Sequence, residues 1–302
     1  MTSDASVTSP LIELRDVTLE VDGQVYLRQA NLAVSAGESV IVAGLPGSGK
    51  SFVIRLMLGL PGLGSGSRTR LEGEVVVDGL DVVGTSGAEL QQLRSRMGAV
   101  LRDGGLIENM DVRRNIMLPL SYHHRTSMGK TDIDERCDLL LQDLGLARLN
   151  KPGLRPVGLN REERIYVSLA RALVNEPFLL LMDDPAAGLS PGCAASLKEM
   201  CFGYYPRFST HPETQPVNAL PLTRVTTTSD IGRYLSFGDR FVVLTDQQLH
   251  VIGGREEVAS SSQEHVRALI SEDSTERVSM ETAPCDGTAV SGSLKGSKAK
   301  RE

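Results

Sequence analysis

The residues Gly44-Leu45-Pro46-Gly47-Ser48-Gly49-Lys50-Ser51 constrain this chain more than any other stretch. They fit the pattern G-x-x-x-x-G-K-[ST]. Their setting fits as well. Ser39 to Val42 is a short apolar run of strand type, and Phe52 to Leu60 is apolar, helix-compatible and stopped by Pro61. In a strand–loop–helix unit of this kind, glycines let backbone N–H groups wrap an anion, and the helix N-terminus adds its positive dipole end. The pattern predicts that residues 44–51 cradle the phosphates of a nucleotide. Lys50 would reach the β- and γ-phosphates, and Ser51 would bind Mg²⁺. A plain glycine turn would share part of the pattern, but the strand, loop and helix occurring together argue against it.

A second stretch answers the first. Phe178-Leu179-Leu180-Leu181-Met182-Asp183-Asp184-Pro185 reads as a buried strand ending in two carboxylates. In a phosphate-loop site an Asp in this place holds Mg²⁺ through water, and a carboxylate beside it polarises the attacking water. Asp183 and Asp184 supply that pair. They stand far from Lys50 in the chain, which leaves room for a helical insert within a nucleotide-binding core.

The remaining elements follow from periodicity and turn residues. Leu11 to Leu14 and Asn31 to Val34 read as strands of an antiparallel edge, with turns at Asp22-Gly23 and Ser35-Ala36-Gly37. Glu74 to Val77 with Asp78-Gly79 reads as a strand and tight turn. Helices are expected over Gly87–Arg96, over Asp132–Leu144 (Cys137, Leu140, Leu141, Leu144) and over Arg161–Asn175 (Ile165, Leu169, Leu173). Phe241–Leu244 and His250–Ile252 read as later strands, and Val266, Leu269 and Ile270 mark a short last helix. Residues 61–70 read as a glycine-serine surface loop, and His123 and His124 as a solvated pair on a loop between helices. The expected organisation is a flexible leader over 1–10, one unit over 11–271 with a helical insert at about 106–160, and a disordered tail over 272–302.

Composition removes several classes of function. A net charge of −6 argues against a general nucleic-acid binder. No apolar run approaches the roughly 18–20 residues of a membrane span. Residues 1–10 carry no Lys or Arg, so a secretory signal is not expected. Cys137, Cys193, Cys201 and Cys285 form no C-x-x-C and read as reduced thiols of a cytosolic protein rather than a metal site.

With these pieces in order, the sequence resembles the nucleotide-binding subunit of ABC transporters from about Leu11 to Ser271. The Walker A loop lies at 44–51 and the Walker B strand at 178–183. Gly238-Asp239-Arg240-Phe241-Val242-Val243-Leu244 is similar to the family's A-D-R-V-V-V-L strand. Within the family it looks most like the Mla/Mce lipid-trafficking branch. The residues behind that likeness are Gly104-Gly105-Leu106, Asp111-Val112-Arg113-Arg114-Asn115-Ile116, Pro119-Leu120 and Val266-Arg267-Ala268-Leu269-Ile270. The resemblance implies an α/β fold with a P-loop NTPase (RecA-like) core, an antiparallel β edge and an inserted helical subdomain. It also implies ATP and Mg²⁺ as ligands and an integral-membrane permease as partner. A homodimer, or a heterodimer with another ATP-binding subunit, is implied on the cytoplasmic face of the membrane.

The departures from the family's motifs are as informative as the match. The Q-loop Gln aligns with Arg102, the signature L-S-G-G-Q with Leu159-Asn160-Arg161-Glu162-Glu163, and the catalytic Glu with Asp184. The D-loop S-A-L-D aligns with Ala187-Gly188-Leu189-Ser190, and the switch His with Ser229. The aromatic that stacks on adenine falls near Val21, with Tyr26 as an alternative. In the family, the signature of one subunit caps a γ-phosphate bound to the other, and small residues allow the close approach. Here Asn160 and Glu163 can form a capping box, and two carboxylates would oppose an anion. Ser229 cannot carry an imidazole's charge, and Asp184 reaches roughly 1.5 Å less than Glu. Two readings remain: an ATP-binding transporter subunit with weakened hydrolysis, or a non-catalytic subunit that binds ATP without turnover.

Overall fold

The computed structural model describes residues 9–62, 67–123, 129–203 and 222–270. The leader up to residue 8, residues 63–66 of the glycine-serine loop, His124 and the tail lie outside the described residues. The chain runs β1 (Ile12–Val21), β2 (Gln24–Val34), β3 (Ser39–Ala43), α1 (Lys50–Met57), β4 (Thr69–Val77), β5 (Leu80–Asp81), α2 (Ala88–Ser95) and β6 (Met97–Val100). It continues with α3 (Val112–His123), α4 (Lys130–Asp143), α5 (Arg161–Leu173), β7 (Leu179–Asp183), α6 (Pro191–Phe202), β8 (Thr223–Thr228), β9 (Arg240–Thr245), β10 (Gln248–Gly253), α7 (Arg255–Ser260) and α8 (Glu264–Arg267).

Two sheets organise these elements. The first is antiparallel, in the order β2-β1-β4-β5. The second has the order β10-β9-β3-β8-β7-β6 and is parallel except for the β10 edge. Strand alternation sends the two faces of the parallel sheet into different cores. Val40 and Val42 of β3 and Leu179 and Leu181 of β7 join α1 and the antiparallel sheet. Ile41, Ala43, Leu180 and Met182 join α3, α4, α5 and α6. A strand covered on both sides must be apolar throughout, which is why β3 and β7 read as continuous hydrophobic runs.

The expected helical insert is present as α3 and α4 between β6 and α5. Ile116, Leu120, Leu140 and Leu141 pack with Ile165, Leu169 and Leu173 in the same core. Arg113 ties the insert together. It donates to Asp134 Oδ1 at 3.0 Å and to Asn150 Oδ1 at 3.0 Å, and it also pairs with Asp138.

Three outcomes differ from the sequence reading. The edge strands β1, β2 and β4 are longer than the apolar runs that suggested them. β1 breaks its register with both β2 and β4 near Asp16, so its alternation is interrupted partway. His123 is the last residue of α3 rather than part of a loop. Six elements went unread: β5, β6, α3, α6, β8 and α7. Pro119 inside α3 speaks against a helix, and β8 is a run of threonines rather than aliphatics.

Candidate functional site

The parallel sheet brings the predicted residues to one end. The loop 44–51 leaves β3, Asp183 and Asp184 end β7, Ser229 follows β8 and Arg102 follows β6. Because β8 lies between β3 and β7, Ala43 stands beside Thr228 and Asp183 beside Thr227. The C-terminal ends of parallel strands are where open α/β sheets bind ligands.

The loop is shaped for an anion. Gly49 precedes α1 at φ 97, and a Cβ there would stand 3.0 Å from Tyr26 Cδ1, so this position requires glycine. No acidic residue occupies the first turn of α1 and no side chain caps it; the Phe52 amide donates back to Gly49 O at 2.8 Å, so the Lys50 and Ser51 N–H groups and the dipole remain available. Lys50 is buried, and its Nζ donates to Leu45 O at 3.3 Å across the loop. Ser48 Oγ is buried with no hydrogen-bond partner among the described residues. A buried ammonium with unused donors, an orphaned hydroxyl and an uncapped helix start fit a triphosphate. Burial lowers the Lys50 pKa, and the charge of Asp184 opposes that shift.

The carboxylates are held just beyond Lys50. Ser51 Oγ donates to Asp183 Oδ1 at 2.9 Å, which is the pair expected to share a magnesium ion. Thr227 Oγ1 donates to the same oxygen at 2.8 Å and accepts from the Asp184 amide at 3.0 Å. Thr227 was not singled out from the sequence, although a buried strand reading Thr-Arg-Val-Thr-Thr-Thr is itself a signal. Threonines buried in a sheet need partners for their hydroxyls. Asp184 is buried and sits at φ 45, in the left-handed region. Ser229 Oγ donates to Asp184 Oδ2 at 3.4 Å, and Arg102 Nη2 stands 3.8 Å from that oxygen. Burial raises the Asp184 pKa, opposed by the charges of Lys50 and Arg102.

Arg102 therefore faces the carboxylates. A groove between core and insert is lined by other residues, among them Arg94, Met97, Leu101, Leu118, Pro119 and Tyr122, around a cavity of about 360 Å³. Leu101 and Tyr122 are exposed there. Of the two candidate aromatic positions, Val21 is buried in the core. Tyr26 borders the phosphate loop, with its ring centroid 4.4 Å from that of Phe52.

The start of α5 has the opposite character. Asn160 Oδ1 accepts from Glu163 N at 2.8 Å, and Glu163 Oε2 accepts from Asn160 N at 3.1 Å. Glu163 also pairs with Arg148, which holds its carboxyl below the usual range. Ser190 Oγ donates to Glu162 Oε1 at 3.1 Å. The Arg161 guanidinium lies over Gly188, with Cζ at 3.5 Å from where a Cβ would be.

A phosphate loop at the end of β3, an Asp pair at the end of β7 and a helical insert between them define a P-loop NTPase cassette. The family model described as ABC transporter matches residues 27–187, more than half of the chain, and the chain belongs to that family. It is 32% identical over 195 residues to the methionine import ATP-binding protein MetN of Rhizobium johnstonii, covering 65% of this chain and 51% of that protein. It thus spans about half the length of that relative. It is 30% identical to the phosphonates import ATP-binding protein PhnC of Shouchella clausii, covering 60% of this chain and 67% of that protein. Among solved structures it resembles the dimeric post-hydrolysis state of the ATP-binding cassette MJ0796 bound to ADP and Pi. That match has a TM-score of 0.62 and 25% identity, over 79% of this chain and 96% of that one. The antiparallel sheet, parallel core and helical parts correspond. MetN and PhnC are import proteins by name and lend no support to the lipid-trafficking branch. No helix among the described residues is long and apolar enough to cross a membrane.

Proposed function

We propose that this chain is the ATP-binding subunit of an ABC transporter, seated on the cytoplasmic face of a membrane permease and driven by Mg·ATP. The observation that carries the reading is the convergence of Lys50, Ser51 and Asp183 at one end of the parallel sheet. Lys50 and the loop amides would hold the β- and γ-phosphates, and Ser51 and Asp183 would hold magnesium, the ion neutralising phosphate charge. Asp184 stands where a carboxylate can orient water, and Tyr26 borders the loop as a surface for the base. The exposed apolar groove around Leu101, Leu118 and Tyr122 suits a helix from the permease, and the cargo would be selected by that permease. MetN, PhnC and the cassette MJ0796 support the nucleotide and transport parts of this reading.

The decisive experiment is calorimetry of ATP with magnesium on the wild type and Lys50→Ala. The wild type should bind, and the variant should lose binding strongly, because it removes the buried ammonium of the phosphate loop. A wild type silent at millimolar ATP would end the proposal. The closed start of α5 favours a second reading, a subunit that binds ATP with little or no turnover. Phosphate release by the purified protein separates the two.

A further inference from the structure

Two histidines that the nucleotide site does not use meet at the edge of the second sheet. His250 stands on β10, opposite Val243 of β9. His265 lies in α8, which packs against β9. The ring centres are 6.0 Å apart and the planes tilted by 41°. His250 is exposed and His265 is half-buried. The Nε2 atom of His265 is itself buried, with no hydrogen-bond partner among the described residues. Contact between the two rings would account for the spacing, but it leaves that nitrogen unpaired, and buried polar atoms ordinarily have a partner. A metal ion would account for both. With metal–nitrogen bonds of about 2.0–2.1 Å, two imidazoles on one ion hold their ring centres roughly 5–6.5 Å apart, for angles from tetrahedral to linear. The observed separation falls in that range.

We propose that His250 and His265 bind one divalent transition-metal ion of the zinc, nickel or copper class. Imidazole suits these ions, whereas magnesium and calcium take oxygen ligands. The site is therefore chemically distinct from the magnesium position at Ser51 and Asp183. No cluster of three or more His, Cys, Asp or Glu side chains suited to a metal occurs among the described residues. Water then completes the coordination, and the ion is exchangeable, unlike one held by the three or four protein ligands of a resident zinc site. Once bound, it fastens α8 to the sheet edge. Just past α8, Leu269 O accepts from Ile231 N at 2.8 Å, so the same staple steadies the turn that follows Ser229. The proposal does not depend on the nucleotide-binding reading.

The test is calorimetric titration of zinc chloride into the full chain, free of nucleotide and in excess magnesium. The wild type should bind zinc, and His250→Ala and His265→Ala should each weaken binding by about tenfold or more, since losing an outer-shell partner of a ligand already costs that much. His250 is exposed, so His250→Ala should fold with little change in Tm, and it keeps the test valid if His265→Ala does not fold. In NMR spectra the ring signals of His250 and His265, assigned by their loss in the variants, should shift together as zinc is added. Zinc affinity unchanged in His250→Ala would overturn the proposal, because the ion would then sit elsewhere, on His123 and its neighbour or on the thiols. So would a wild type that binds no zinc in excess magnesium, or a zinc titration that moves only one of the two ring signals.

Discussion

Replacing Thr227 with Val tests whether the carboxylate pair is held by β8 as the geometry implies. The side chain is fully buried, and valine keeps its branching while deleting one hydroxyl. That hydroxyl donates to Asp183 Oδ1 at 2.8 Å and accepts from Asp184 N at 3.0 Å. The Asp184 amide retains the Thr227 carbonyl at 3.1 Å, so the main loss is one bond to the Asp183 carboxylate. A hydrogen bond to a charged group contributes about 1.5–3 kcal/mol. At roughly 2–4 °C per kcal/mol for a domain of this size, Tm should fall by about 3–12 °C. Among the described residues Asp183 then keeps only Ser51 as a side-chain donor, so its aim at a magnesium ion should loosen. The magnesium-dependent part of ATP affinity, read by titrations with and without the metal, should drop. Thr227→Ser keeps the hydroxyl and should preserve that affinity, although the lost methyl costs about 1 kcal/mol. Thr227→Val with an unchanged Tm and unchanged magnesium dependence would refute the assignment of Thr227 as the residue that positions Asp183.

Other outcomes follow from the same geometry. Asn160→Ala removes the cap of α5 and should destabilise the fold by about 1 kcal/mol, measured by urea denaturation. Tyr122→Asp puts a charge at the exposed edge of the groove. It should reduce recovery of the chain with the membrane permease proposed as its partner while leaving ATP affinity unchanged, and undiminished co-purification would place the docking surface elsewhere.

Much of this site can be read from the sequence because it is made of local patterns. The loop 44–51 declares itself through glycine spacing, and Asp183-Asp184 through the apolar run before them. The capping box was legible for the same reason, since Asn160 and Glu163 are three residues apart and meet within one turn. What stayed hidden depends on strand order. Thr227 becomes a site residue only because β8 is inserted between β3 and β7. The neighbours of Arg102 are likewise set by β6 lying beside β7, which no local pattern reveals. The sequence aligned Arg102 with a glutamine position, but that alignment did not show that its half-exposed guanidinium lies 3.8 Å from Asp184 Oδ2. Val21 and Tyr26 were separable only once β2 was seen to pass the phosphate loop.

The two helix starts near this end of the molecule show how the chain divides binding from capping. α1 and α5 both present the positive end of a helix dipole, and both would attract a phosphate if left bare. α1 is left bare: its cap is Gly49, its first turn has no carboxylate, and Lys50 adds charge. α5 is closed: Asn160 satisfies one amide, Glu162 and Glu163 offset the dipole, and Ser190 and Arg148 hold those carboxylates in place. An anion brought to α5 would first have to break the capping box and then approach two negative charges. The residues that stabilise α5 therefore make it a poor lid for a phosphate, whichever chain supplies that phosphate. A cassette built in this way can grip a nucleotide on its own loop while offering little to a nucleotide held by another. Slow turnover would then originate at α5 as much as at Asp184. Removing Glu162 and Glu163 together, rather than lengthening Asp184 alone, is the change that should raise phosphate release in a dimer.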